Sequence, residues 1–440
     1  MSLMRPNWQL GAISGQTSSP SGELIKTTGN LSASCHTFLN DHQWWMWVLI
    51  RPSPAVWLSL YFCGFYFVFG IYVPFWAVWM DWLGLSADDI GLIIGIGVAT
   101  RCVVNLMILP KFHQKAMLLP LLRVLSVGSM IFGILHLFAG SGWLGLLLLS
   151  IAINATLGPS FPVSDTIASH YGRQRLLDYG KVRLFGSAAF IAGTTAAGVF
   201  AEHLGVKVIV PMAVCALAIT ACWVFISPSR LLGDDDKDSC ERAGIRTILS
   251  DPDVLRLTLI LSLIHGSHAT YYSFSAIHWG NAGFSESTVS YLWSIGVGVE
   301  IVIFALSQRL FRHWTVTSLL RFATAVVIAR WLITGLSVDM GWLLAAQAMH
   351  GVTFGVSHLA AMRFIRLQAS EKILALQALY SAVPLGAALA VLIMLSGPLY
   401  TAFAGQAFLF MAGLGTLAGL LLFVRIREPS AHLSGKRESD

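Results

Sequence analysis

The sequence predicts an all-α polytopic membrane protein with twelve transmembrane helices in two pseudo-symmetric halves of six. Three observations carry that expectation. Hydrophobic residues make up 56% of the 440 residues and charged residues only 11%, with a mean hydropathy of +0.71; soluble domains carry about 25% charged residues. Apolar runs long enough to cross a bilayer, about 20 residues each, recur with short breaks from Trp57 to Val424. The second half of the chain also repeats the first. The sequence holds no heptads, zinc-ligand spacings, phosphate-binding loops or nucleotide fingerprints. Its six cysteines lie mostly inside apolar runs without CxxC spacing and read as packing residues, not disulfides or metal ligands. The net charge of +6 calls for no nucleic acid, because excess Lys and Arg in a membrane protein mark cytoplasmic loops.

Taken in order, residues 1–50 are polar and rich in Ser, Thr and Gly, and are expected to form a disordered tail. No apolar core of a signal peptide precedes a cleavage site there. The first apolar run begins soon after Met46, which makes Met46 a candidate translation start. Residues 51–227 form the first half, with spans expected at 57–82, 89–110, 117–139, 143–166, 180–203 and 206–227. The polar stretch 228–252 is a linker. Residues 253–425 form the second half, with spans at 253–281, 287–309, 316–337, 341–364, 373–397 and 402–425, and residues 426–440 form a tail.

Loop charge sets the orientation. One side carries Lys111 and Lys115; Arg173, Arg175 and Lys181; Arg309 and Arg312; Arg363, Arg366 and Lys372; the linker; and Arg425, Arg427, Lys436 and Arg437. The other side offers little beyond Lys207. This asymmetry places both termini and the linker in the cytoplasm.

The repeat aligns Tyr72–Arg101 with Tyr271–Glu300 without a gap at an offset of 300 − 101 = 199. It matches Tyr72/Tyr271, Phe75/Phe274, Ala77/Ala276, Gly84/Gly283, Ser86/Ser285 and the Ile-Gly-Val strings at 96–98 and 295–297. Parallel repeats of this kind build transporters with the substrate site between the halves near the midplane. The alignment sets Arg101 opposite Glu300 in sequence, equivalent positions of opposite charge.

Charges inside the spans are few: Asp165, Arg183, Arg101, Glu300 and Arg330, with His265, His268, His350 and His358. Each costs roughly 2.5–3.5 kcal/mol at a bilayer centre even on the lenient scale, so such residues pair with one another or face a water-filled path. A carboxylate whose neighbours change as the protein rocks is a natural proton carrier. Structural readings stand beside these. Arg183 lies close enough to the basic side to snorkel, Arg101 and Arg330 can cap or snorkel, and each histidine can bond a neighbouring helix. His350 and His358 fall roughly on one helix face. The aromatic series of the first span (Phe65, Tyr66, Phe69, Tyr72, Phe75, Trp76, Trp79) suits packing or an interfacial belt, and its central members suit stacking on an aromatic substrate.

These residues bring out a resemblance over about residues 55–425, carried by FGIYVPFWAVW, LDYGKVRLFGSAAF, HATYYSFSAIHW, VSYLWSIGVGVEIVIFALS, HLAAMRFI and LQALYSAV. The chain resembles the major facilitator superfamily, in its lactose-permease-like branch, and within it the bacterial permeases for 3-phenylpropionate. The resemblance implies the major facilitator fold and proton-coupled uptake of a small aromatic carboxylate. It aligns Asp165 and Arg183 with the acid and arginine that clasp sugars, Phe190 with the stacking aromatic, and Glu300, Arg330 and His350 with the acid, arginine and histidine of helices 8, 9 and 10. Two departures stand out: Thr353 occupies the usual helix 10 acid, and LPKFHQK replaces the G-x-x-x-D loop.

The resulting expectation is a symporter of the bacterial cytoplasmic membrane, monomeric, without metal or cofactor, and driven by the proton gradient. Substrate binding is assigned to Arg183, Asp165, Arg101, Phe190, Tyr72 and His268, with Arg183 the first choice for the carboxylate and Asp165 holding it until substrate arrives. Proton coupling is assigned to Glu300, Arg330, His350 and His358. A sugar or nucleoside symporter and a non-transporting membrane sensor are the alternatives. An integral-membrane enzyme lacks any nucleophile–base or metal constellation to support it.

Overall fold

The computed structural model describes residues 51–107, 112, 114–232 and 248–427. Expectations for the tail 1–50, the Met46 start, linker residues 233–247 and the chain from 428 lie outside the described residues. Hydrocarbon offers the backbone no hydrogen-bond partner, so every long apolar run closes its own bonds as a helix. The first half supplies α1 (Pro54–Trp82), α2 (Ala87–Met107), α3 (Lys115–His136), α4 (Trp143–Arg173), α5 (Tyr179–Leu204) and α6 (Ile209–Phe225). In the second half α7 comprises Pro252–Gly266 and Ala269–Asn281, followed by α8 (Glu286–Leu310) and α9 (Val316–Leu336). Then come α10 (Met340–Ala348 and Ser357–Arg366 around a π-helical turn, Gly351–Val356), α11 (Ser370–Ala382 and Ala388–Phe403 around a π-helical turn, Val383–Ala387) and α12 (Ala407–Leu421).

All twelve spans thus fall where the apolar runs predict them, with two differences in extent. α4 continues past 166 to Arg173, so Asp165 lies inside a helix and not at its end. The extension is anchored by Tyr171, whose hydroxyl donates to the Arg230 carbonyl at 2.6 Å. His170 and Arg173 therefore belong to the helix, and the turn is confined to 174–178, where Asp178 caps α5 through the Gly180 and Lys181 amides. α11 runs through Pro398 to Phe403.

The repeat is visible in the backbone. Gly84 and Gly283, matched by the offset, both take a left-handed φ, +87° and +93°, after the first helix of each half. Ser86 and Ser285 follow them, each accepting from the backbone amide three residues on, Asp89 and Thr288, at the start of the next helix. The halves meet along α2 with α11, α5 with α8, and α1 with the second segment of α7. At the end away from Arg173, Arg309 and Arg366 the contacts are close. Gly91 and Gly397 lie against each other, so a Cβ on Gly91 would come within 2.9 Å of the Gly397 backbone. Thr401 donates to Asp88 at 2.8 Å, and the Ser287 amide donates to Glu202 at 3.2 Å.

Candidate functional site

Between the halves lies a cavity of about 380 Å³, walled by α1, α2, α4 and α5 on one side and α7, α8, α10 and α11 on the other. Its volume suits a small organic molecule. The wall is built from the repeat. Tyr66 and His265, Val73 and Tyr272, Ile94 and Trp293, Val98 and Val297, and Arg101 and Glu300 are all mates at the offset of 199, and all ten face the cavity. Tyr66, Phe69, Tyr72, Val73 and Trp76 present one face of α1, and Phe190 and Phe354 add further rings. The cavity is mostly apolar and rich in aromatic rings, with charge at a few points.

Arg101 reaches it from α2, its methylene stem laid along Gly158 of α4 so closely that a Cβ there would sit 2.3 Å from Cγ of the arginine. Among the described residues Arg101 has no acidic partner. Beside it the Asn154 amide donates to the Tyr72 hydroxyl at 2.9 Å and to the Ser150 carbonyl at 2.9 Å, fixing the phenol in the wall.

Arg183 also lines the cavity, toward the basic end, but is engaged. Its Nη1 stands 3.8 Å from Asp165, an ion pair too long for a hydrogen bond, with both side chains about one-third exposed (36% and 33%). The guanidinium lies 4.9 Å from the centres of both the Tyr66 and Phe161 rings. Asp165 in turn accepts from the Tyr179 hydroxyl at 2.5 Å and stands at the rim, outside the cavity wall.

Opposite Arg101, Glu300 approaches His350 to 3.8 Å. No lysine or arginine of the described residues lies within ion-pair distance of Glu300. The π-helical turn of α10 brings Gly351 against the α8 backbone at Val299 and Glu300; such turns often mark functional sites.

Of the ten residues assigned from sequence, Arg101, Arg183, Tyr72, Phe190, Glu300 and His350 line the cavity. His268 does not. Both of its ring nitrogens are used inside the second half, on the Ile264 carbonyl and the Thr353 hydroxyl, each at 3.0 Å. Arg330 is fully buried behind the wall, donating to the Ala346 carbonyl at 3.0 Å and to Thr353 at 3.2 Å, and stacking on Tyr271 and Trp331. It reaches neither Glu300 nor the cavity, because Thr353, standing where an acid is usual, takes its Nη1 and the His268 nitrogen together. His358 is likewise off the wall, 2.9 Å from the Tyr380 hydroxyl. The wall residues that sequence reasoning left unassigned include His265, Tyr272 and Trp293. The repeat carries a partial signal: the offset of 199 pairs them with Tyr66, Val73 and Ile94, which also face the cavity, but it equally pairs Phe69 and Tyr72 with His268 and Tyr271, which do not.

The model described as the MFS_1 like family matches residues 56–412. The chain is 35% identical over 344 residues to the "Probable 3-phenylpropionic acid transporter" of Escherichia coli (strain K12), covering 78% of this chain and 90% of that one. It is 23% identical over 327 residues to the "Maltose permease" of Geobacillus stearothermophilus, covering 74% and 82%. Among solved structures, the nucleoside transporter NupG superposes with a TM-score of 0.68 at 12% identity, over 84% of this chain and 98% of that one. A bacterial homologue of the human lysosomal transporter Spinster, inward-facing and unoccupied, superposes at 0.61 and 13% identity, over 84% and 95%. At such identities the superpositions speak to fold alone.

Proposed function

We propose, for a chain that belongs to the MFS_1 like family of multi-pass membrane transporters, that its substrate is a small aromatic carboxylate such as 3-phenylpropionate, taken up with protons. The observation that carries this reading is Arg101, a guanidinium without an acidic partner among the described residues, facing an apolar cavity rich in aromatic rings. An aryl ring fits the wall formed by Phe69, Tyr72, Phe190 and Trp293, and a carboxylate matches the planar fork of an arginine. Arg101 thereby takes precedence over Arg183, whose charge is already met by Asp165. Arg183 is the second arginine, available at the rim when that long pair opens.

Proton coupling follows from electrostatics. An anion entering a cell that is negative inside is opposed by about 2.3 kcal/mol per charge per 100 mV, and one proton moving with it removes that opposition. Glu300 is the proposed carrier. It sits on the cavity wall, its neighbour is an imidazole, and no guanidinium has to be displaced when it takes a proton. Orientation by loop charge places the basic end and both termini in the cytoplasm, in the bacterial cytoplasmic membrane. The close contacts around Gly91, Gly397, Asp88 and Thr401 then seal the outer side, an inward-facing arrangement. The proton gradient is the proposed driving force, with no cofactor and a monomer as the working unit.

The relation to a maltose permease keeps a sugar symporter as the second reading. The scarcity of hydroxyl and amide groups on the wall, chiefly Asn154, Ser187 and the tyrosines, weighs against it. The test is uptake of labelled 3-phenylpropionate by cells expressing the chain, with and without a protonophore. Uphill uptake that collapses with the protonophore is expected. Uptake that persists unchanged removes proton coupling. Absence of uptake from protein shown to be in the membrane, or competition by maltose and not by arylpropionates, removes the carboxylate reading.

A further inference from the structure

We propose that His265, Tyr380 and His358 form a hydrogen-bonded relay that carries a proton between the central cavity and the basic end of the second half. The proposal rests on the symport reading and supplies a route that the threonine at position 353 cannot provide. The three side chains come from α7, α11 and α10. His265, 2% exposed, lines the cavity. Its Nε2 is 3.0 Å from the Tyr380 hydroxyl oxygen, and the same oxygen is 2.9 Å from Nδ1 of His358. The other ring nitrogen, Nδ1 of His265, is buried with no hydrogen-bond partner among the described residues. Phe354 stands between His265 and His350, with its ring centre 5.3 Å from the first imidazole and 6.1 Å from the second, so the Glu300–His350 pair and the head of the relay share one stretch of wall. At the other end, His358 is only partly buried and stands two turns before Arg366, the last residue of α10. The line therefore runs from the middle of the molecule toward the end where the loop charges gather.

The chemistry of the middle member sets how a proton passes along the line. A hydroxyl has one proton to donate. Between two imidazole nitrogens, Tyr380 donates to one and must accept an N–H from the other. With His265 protonated on Nε2, it donates to the tyrosine oxygen, the tyrosine donates to Nδ1 of His358, and His358 carries its proton on Nε2. A proton arriving on Nδ1 of His265 makes that ring an imidazolium. Its Nε2 proton passes to the Tyr380 oxygen as the Tyr380 proton passes to Nδ1 of His358, and His358 releases its Nε2 proton. One proton enters, one leaves, and no bond between heavy atoms changes. Both rings end in the opposite tautomer, with the tyrosine now donating to His265 and accepting from His358. The same heavy-atom positions serve both states, and the passage runs equally in reverse. The first half has no counterpart. Tyr66, the repeat mate of His265, ends in a buried hydroxyl with no hydrogen-bond partner among the described residues and lies over Arg183.

Tyr380→Phe keeps the ring and removes the transferable proton, and Tyr380 is not a wall residue. The measurement is alkalinisation of a lightly buffered suspension of cells expressing the full chain when 3-phenylpropionate is added, alongside equilibrium exchange of labelled 3-phenylpropionate. The wild type should take up protons with substrate. Tyr380→Phe should exchange substrate within twofold of wild type while its substrate-linked proton uptake falls more than about tenfold, the scale of a positioned proton-transfer group. Proton uptake by Tyr380→Phe at the wild-type rate overturns the relay and leaves symport standing. Exchange without proton uptake in the wild type overturns the symport reading itself. Should Tyr380→Phe fail to reach the membrane, His358→Gln, which interrupts the far end, is read by the same two assays with the same outcomes.

Discussion

The two halves share a register and differ in what they do with polarity. In the first half α1 to α5 are continuous helices, and most buried hydroxyls are satisfied within their own helix: Ser126 on Leu122, Ser160 on Thr156, Thr220 on Ala216. In the second half α7, α10 and α11 are all interrupted, and polar groups bond from helix to helix. Trp331 donates to Ser267, Tyr271 to Gln347, Arg330 to Thr353, and Tyr380 bridges two histidines. The first half presents a fixed cation, Arg101, to the cavity, and the second presents an acid, Glu300, backed by imidazoles. Equivalent positions have thus diverged in charge. In the proposed reading, an apolar frame holds a charge without an acidic partner among the described residues ready for an anion, and a network of interruptible bonds gives a proton places to stop. A charge in hydrocarbon is retained only where it has such a use or a partner.

The comparison can be broken most severely at Glu300. Glu300→Gln removes the proposed carrier and should abolish uphill accumulation while downhill exchange continues; normal protonophore-sensitive accumulation would remove Glu300 from coupling. Its mate comes next. Charge-assisted hydrogen bonds contribute about 1.5–3 kcal/mol, so Arg101→Ala should raise the half-saturation concentration for 3-phenylpropionate about 100-fold. Arg101→Lys, which keeps the charge and loses the fork, should raise it about tenfold, and Arg183→Lys only about threefold. Equal or reversed effects in uptake kinetics would return the carboxylate to Arg183.

Two glycines sharpen the contrast further. A Cβ at Gly158 would fall 2.3 Å from Cγ of Arg101, whereas at Gly355 the nearest atom would be Ile303 Cγ2 at 3.3 Å, with Glu300 Cγ at 3.9 Å, so the neighbour there gives by only a few tenths of an ångström. Gly158→Ala should displace the arginine and weaken uptake about tenfold, within the 1–3 kcal/mol range of an overpacked contact; Gly355→Ala should stay within twofold. The repeated tyrosines also give small effects. Tyr72→Phe and Tyr271→Phe each lose one hydrogen bond, worth about 1 kcal/mol, to Asn154 and Gln347. Only Tyr72 faces the cavity, so only its loss should shift half-saturation, by a few-fold, while Tyr271→Phe should show in thermal unfolding of the purified protein alone.

The sequence by itself determined the twelve helices, because membrane hydrocarbon leaves an apolar run only one way to satisfy its backbone, and it determined the kinship of the halves, because Tyr72–Arg101 aligns with Tyr271–Glu300 without a gap. It also marked Arg101 and Glu300, since charges in apolar runs stand out. The extent of α4 was less legible: residues 167–173 carry too few apolar positions to read as membrane, and the helix continues because Tyr171 finds a carbonyl at Arg230. Only the tertiary structure decided which charges are free. Arg101 and Arg330 look alike in sequence, each one cation in an apolar run, and Arg183 differs from them only in lying nearer the basic side. Whether a guanidinium is bare, loosely paired with Asp165, or consumed by Thr353 and a carbonyl depends on what neighbouring helices bring within about 4 Å. The same holds for His265, His268 and His358. Covalent spacing places each on a helix, and the packing of α7, α10 and α11 alone sets two of them in a line with Tyr380 and turns the third away.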